Sequence, residues 1–453
     1  MRSDRSVWAG VLALALLIVP AAAQGPAAGS KPVPAGKTFQ FVLQNGLQVV
    51  VVPDHRAPVV TQMVVYKVGA VDDPAGLSGL AHFFEHMMFR GTKSVPGNGY
   101  SQSIARNGGD ENAFTTHDYT VFHDQISRDK LRLVAHLEAD RMAGLDLSES
   151  AVMAERDVVG EERRMRVDND PQALALEQAE AALYLSHPYG RPVIGWPEEI
   201  RHIGRAEAEN FYRRHYAPNN AILIVAGDVK PDEVRQVAES EYGPLPAREL
   251  VARVDYAQPR RMGESRIVVN RKDAKVPLFL RLYRVASYAE GAPGEAEALE
   301  VLARLLGGDT TSALYHKLVV ERRLATDVSA SYDGYARDSG QFSISVTPRP
   351  GVALETIERA VDEVLSYYAH HQSSKPEMLR AKAQLVAGAA FARDGQFEMA
   401  SAYARALAVG MTVSDVQQWP GRIQSVKPKA LQDAAATGLN RNEAVTAYLQ
   451  PRP

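Results

Sequence analysis

Hydrophobic positions along the chain fall into runs separated by polar, Gly- and Pro-containing breaks, and the period inside each run predicts its element. Phe39 to Val52 gives two β-rich runs around Asn45-Gly46, a strong hairpin signal. Val59 to Val68 predicts the next strand, ending before a loop from Gly69 to Gly76. Ala221-Ile222-Leu223-Ile224-Val225-Ala226 is apolar without alternation and predicts a buried strand closed by Gly227-Asp228, with a helix from Pro231 to Tyr242 behind it. Residues 243–264 lose the periodicity and carry Pro244, Pro246 and Pro259, which predicts an interdomain linker. The pattern then restarts. Arg266 to Val269 and Leu278 to Val285 read as strands, and Glu295 to Leu306 reads as a helix ending at Gly307-Gly308. The order strand, strand, helix ending in Gly, exposed strand occurs in both halves, so an internal duplication with a period of roughly 220 residues is expected, giving paired domains rather than a solenoid.

The first 23 residues stand apart. Arg2 and Arg5 precede an uncharged run from Val7 to Val19, followed by Pro20 and three alanines, the layout of a secretory signal cleaved after Ala23. A run of that length is short for a bilayer span, so export and release, most simply to a periplasm, is expected, with no stable membrane span in the mature form. Residues 24–37, rich in Gly, Pro and Ala, read as a flexible tether. The resulting division is a signal peptide (1–23), a tether (24–37), a first domain (38–242), a linker (243–264) and a second domain (265–453).

Composition narrows the chemistry. With 51 Lys+Arg against 54 Asp+Glu the chain carries a formal charge of −3, which argues against a nucleic-acid partner. There is no cysteine among the 453 residues. Thiol nucleophiles, disulfides, iron–sulfur clusters and thiolate zinc sites are therefore excluded, and any metal must be held by His, Asp or Glu.

One segment offers such a set. In GLSGLAHFFEHMMFRGT, Gly76 to Thr92, Ser78 is placed to cap a helix that runs to about Phe89 and stops at Gly91. Residues four apart share a helix face, so His82 and His86 can meet one ion, with Glu85 beside them outside the ligand set. Two neutral imidazoles suit Zn²⁺ and leave positions for a third ligand and a water, from which a neighbouring carboxylate can take a proton. With 12 histidines in the chain, His-x-x-Glu-His would arise by chance in only about one such protein in fifty.

The pentad resembles the inverted zinc motif of the insulinase-like (pitrilysin, M16) metallopeptidases, and the likeness extends further. In that family the third ligand is a glutamate on a later helix that also carries a supporting glutamate. Here Glu162 lies 76 residues after His86, and Glu155 lies seven before Glu162, two helical turns away on the same face. Glu161 is the alternative ligand, and on its residues alone the segment also reads as a solvated helix paired with Arg156, Arg163, Arg164 and Arg166. Asn107 to Thr120 resembles the segment whose edge strand pairs with bound peptide, placing Asn112 and Ala113 at the substrate-contacting positions. His187 to Gly190 and Tyr216 to Asn220 resemble structural landmarks.

The resemblance implies an α+β fold of two homologous α/β-roll-like domains, each a mostly antiparallel sheet packed with helices. It also implies a zinc endopeptidase in which His82, His86 and Glu162 hold Zn²⁺, Glu85 is the base and Glu155 orients a ligand histidine. The second half departs from the pattern. Active members carry an Arg and a Tyr seven residues apart there; the aligned positions are Val319 and Thr326, with Arg322, Arg323, Tyr332 and Tyr335 nearby. A homologous partner subunit lacking the zinc motif is therefore expected to supply them. A homodimer and a non-hydrolytic peptide-binding or assembly subunit are the alternatives.

Overall fold

A computed structural model describes residues 37–452. The expected signal peptide and nearly all of the tether lie outside the described residues. The first half forms a six-stranded sheet from β1 (Phe39–Val42), β2 (Gln48–Pro53), β3 (Val59–Tyr66), β4 (Asp110–Thr115), β5 (Thr120–Ser127) and β6 (Ala221–Gly227), in the order β1-β2-β6-β3-β5-β4. The second half forms a five-stranded sheet from β7 (Ser265–Arg271), β8 (Leu278–Val285), β9 (Ala325–Asp333), β10 (Gly340–Pro348) and β11 (Ala444–Pro451), in the order β7-β11-β8-β10-β9. Without β1 the two orders coincide, and each sheet has one parallel pair at the same place, β2 with β6 and β7 with β11. Equivalent strands start 215 to 223 residues apart, so the duplication expected from the hydrophobic pattern is drawn in the topology. Both sheets are mixed and mostly antiparallel, packed with helices as the sequence implied. The Asn45-Gly46 turn joins β1 to β2, with Gly46 at a φ of 88° where a side chain would be strained.

The unbroken apolar run of β6 has a physical explanation. All seven residues are buried because both faces of the sheet are covered. Ala221, Leu223 and Val225 face the first half's own helices. These include α1 (Leu80–Met87), α2 (Gly99–Arg106), α3 (Leu131–Gly144) and α4 (Glu149–Arg163). Ile222, Ile224 and Ala226 pack instead against Ala400, Ala404 and Leu407 of the helix Gln396–Ala408, which belongs to the second half. The covering is reciprocal. Ala179 and Leu183 of α5 (Pro171–Leu183) lie on Leu280, Leu282, Val445 and Ala447 of the second sheet. Each sheet is thus walled on one face by its own helices and on the other by a helix from the opposite half.

The segment 243–264 contains no helix or strand. The landmark His187-Pro188-Tyr189-Gly190 ties the halves together: Tyr189 Oη donates to Asp118 Oδ2 at 2.5 Å, and His187 Nε2 lies 3.1 Å from Asp338 Oδ2. Among the described residues, no helix is long and apolar enough to cross a membrane.

Candidate metal centre

The site is built on α1, which starts at Leu80, one residue later than a Ser78 cap would require. Its first turn is capped by a carboxylate from the preceding loop. Gly79 N–H and Ala81 N–H donate to Asp73 Oδ2 and Oδ1 at 2.8 Å each. The Ser78 hydroxyl is turned elsewhere and accepts from Trp196 N–H at 2.9 Å. A buried carboxylate bridging two N–H groups at a positive helix end anchors the helix more firmly than a hydroxyl cap. Asp73→Ala is accordingly expected to cost about 2 kcal/mol in urea unfolding by orphaning both donors, whereas Ser78→Ala should cost less. The helix ends at Met87, and Gly91 turns the chain at a φ of 101°.

From α1 the two histidines point at one carboxylate of α4. His86 Nε2 is 3.0 Å and His82 Nε2 is 3.7 Å from Glu162 Oε2. One nitrogen from each histidine and one Glu162 oxygen all lie within 4.8 Å of one another, and this is the one such donor group among the described residues. Glu162 Oε2 is buried without a hydrogen-bond partner, as is His82 Nδ1. An orphaned carboxylate oxygen facing two imidazoles is costly to bury unless an ion neutralises it, so these residues fit a divalent cation of the N/O-binding class, zinc foremost.

The choice between adjacent glutamates follows from burial. The Glu162 side chain is 10% exposed and faces α1, while that of Glu161 is 58% exposed and pairs with Arg164 at 2.7 Å. Glu161 is turned away from the histidines.

Each carboxylate around the centre has one oxygen held by the chain. Glu155, buried on α4, places Oε1 3.0 Å from His86 Nδ1 and accepts from Arg90 Nε at Oε2. Glu162 Oε1 pairs with Arg166 at 2.8 Å, leaving Oε2 for the histidines. Glu85 is 5% exposed and accepts from Thr115 Oγ1 at Oε2, 2.7 Å away. Arg90, Thr115 and Arg166 went unrecognised as site residues at the sequence level. Arg166 carried a signal, because it lies one helical turn beyond Glu162, whereas Arg90 lies in the turn after α1.

The electrostatics match the contacts. Burial pushes His82 down to about 3, with the neighbouring His86 charge adding to it. His86 is also penalised by burial, yet the hydrogen bond with Glu155 and the nearby charge of Glu162 outweigh this and hold it at about 9. Glu162 is lowered to about 2 because the histidines and Arg166 overcome its desolvation. Burial raises Glu85, opposed by His86 and by the Thr115 hydrogen bond.

β4 is the outer strand of its sheet, bonded only to β5. Asn112 and Ala113 lie in its middle, and the Ala113 N–H is taken by Asn112 Oδ1 at 2.8 Å rather than by a neighbouring strand. This is an open edge of the kind an extended peptide can join.

Comparison with known proteins places the chain. The family model described as insulinase (peptidase family M16) matches residues 48–196, and the M16 inactive-domain model matches residues 202–385. An uncharacterized zinc protease of Mycobacterium leprae is 32% identical over 330 residues, 71% of either chain. The chain belongs to the M16 insulinase family. The zinc protease PqqE of Helicobacter pylori is 27% identical over 418 residues, 92% of this M16 chain and 93% of its relative. The crystal structure of a protease from Helicobacter pylori matches the fold with a TM-score of 0.87 at 26% identity, covering 92% of this chain and all of that one.

The second half of this M16 chain shows what replaces the centre in its silent copy. In the helix Glu295–Gly307, Glu300 stands where the first half has His82, Ala303 where it has Glu85 and Arg304 where it has His86. Glu300 Oε2 accepts from Trp419 Nε1 at 3.0 Å, and Arg304 Nε donates to Gln384 Oε1 at 3.0 Å on the helix Lys375–Ala392. A hydrogen bond from a charged guanidinium to an amide joins the two helices where α1 and α4 converge on the candidate ligand set.

Proposed function

We propose that this chain is the zinc-bearing subunit of an M16 metalloendopeptidase that hydrolyses short unfolded peptides in a closed chamber after export to a periplasm. The observation that carries the reading is the convergence of His82, His86 and the orphaned Glu162 Oε2 beside a buried, partly desolvated Glu85. His82, His86 and Glu162 would hold zinc, which when bound supplies positive charge for a scissile carbonyl and acidifies a water. Glu85, with Oε2 held by Thr115, would take a proton from a water and return it to the leaving amine. Glu155 keeps His86 oriented through Nδ1, and Asn112 and Ala113 on β4 pair with the peptide backbone.

The second half supports a divided chamber. Val319 packs partly against the second core, and Thr326 is an exposed edge residue whose hydroxyl donates to Thr347 O at 3.3 Å. Three of the four neighbouring candidates have other work. Arg322 pairs with Glu363, Tyr332 Oη donates to Ala286 O at 2.7 Å, and Tyr335 lies between Tyr288 and Arg405. A homologous subunit without the zinc motif would supply the missing Arg and Tyr. A tagged chain recovered with its bound partners is expected to cleave a quenched fluorescent peptide, to stop after chelation and to recover on adding zinc. The purified single chain should be much slower. Full activity of the single chain, with a native mass of one or two identical copies, would remove the second subunit; activity indifferent to chelation would remove the zinc reading.

A further inference from the structure

We propose that Thr115 is a positioning residue that fixes Glu85 and ties its location to the strand on which the peptide docks; this rests on the peptidase reading above. Glu85 has three rotatable side-chain bonds, and its Oε2 accepts from the Thr115 hydroxyl at 2.7 Å. That hydroxyl is itself constrained. Thr115 ends β4 and pairs across the ladder with Thr120, which is fully buried. Thr120 Oγ1 donates to Val68 O at 2.9 Å and lies 3.4 Å from Thr115 Oγ1. With the Thr120 proton committed to the Val68 carbonyl, the single Thr115 proton is directed to Glu85.

The placement along β4 adds the second half of the inference. In a strand, residues two apart present the same backbone edge and the same side-chain face. Ala113, whose N–H is turned to Asn112 Oδ1 at the open edge, is two residues before Thr115. A peptide adding to β4 at Ala113 is thereby held about 7 Å along the strand from the residue that holds the base. One rigid strand then sets both the register of the peptide and the position of Glu85. The hydrogen bond holds Glu85 Oε2 on the strand side, so the strand fixes how the carboxylate is turned.

The test uses Thr115→Val, which keeps the shape and removes the hydroxyl, and Thr115→Ser, which keeps the hydroxyl. Both are made in the tagged chain isolated with its bound partners, alongside Glu85→Gln. Thr115→Val is expected to lower kcat roughly 10- to 100-fold, with KM and zinc content unchanged, because a small misplacement of a reacting group costs rate and not ground-state binding. Thr115→Ser should restore most of the rate, and Thr115→Val should add little to the loss in Glu85→Gln because the two residues act as one unit. Crystal structures of the zinc-loaded variants read the position of Glu85 without turnover: its carboxylate should move in Thr115→Val and stay in Thr115→Ser. A Thr115→Val protein with wild-type kcat, a loss that serine does not rescue, or an unmoved Glu85 overturns the inference. An active Glu85→Gln protein overturns the peptidase reading instead, so the two failures are distinguishable.

Discussion

Replacing Glu85 by Gln is expected to leave zinc bound and to reduce peptide hydrolysis by roughly 10²- to 10⁴-fold. The side chains are nearly the same size, and the amide oxygen can still accept from Thr115 Oγ1, so the packing around α1 has little reason to change. What is lost is the ability to take a proton. Glu85 is nearly enclosed, and burial raises its proton affinity despite the neighbouring His86 charge, which suits a group that must hold a proton briefly and release it. Metal analysis after gel filtration in metal-free buffer, paired with initial rates on a fluorogenic peptide, separates the outcomes. Loss of zinc together with rate would make Glu85 a structural support of the centre. Retained zinc with retained rate would place the base elsewhere.

Glu162→Gln and Glu161→Gln, one residue apart, are expected to behave oppositely. Glu162→Gln removes the charge that meets both imidazoles and should weaken zinc more than about 100-fold in a competition titration with a chromogenic chelator. Glu161→Gln should leave the affinity unchanged, since that carboxylate is exposed and paired with Arg164. Glu155→Gln belongs between them. It leaves all three ligands and weakens the orientation of His86, for which a loss of roughly 10- to 100-fold is typical. A reversed order of the two adjacent variants would reassign the third ligand.

What could be read from the sequence was local. His82, Glu85 and His86 lie within five residues, so the helical period alone brings them to one side of α1. The same period puts Glu155 and Glu162 on one face of α4, but their choice among the charges of that helix came from the family resemblance alone. Choosing Glu162 over Glu161 depends on how α4 is rotated against α1, and the sequence of α4 offers charge on several faces. The cap of α1 was misplaced because Ser78 is a good local candidate, while the group that wins reaches back from Asp73 across a loop. Thr115 was illegible for a similar reason. Its role exists only because β4 passes beside α1, and no periodicity within either element records that meeting. The helix Gln396–Ala408 shows the limit most clearly: its pattern declares that a face is buried, and nothing in it says that the face belongs to the first sheet.

That exchanged helix bears on how the chain came to keep a half with no metal ligands. Had each copy closed over its own sheet, the silent copy could have been lost without touching the chemistry. Instead, deleting it would strip Val50, Met63, Val65, Ile222 and Ile224 of their cover and expose an apolar wall on the face of the first sheet opposite the helices that carry the site. The second copy thus serves the first as scaffolding, while its own helix carries Glu300 and Arg304 where α1 carries His82 and His86. A substitution that loosens the packing of that helix is in this way felt in both halves.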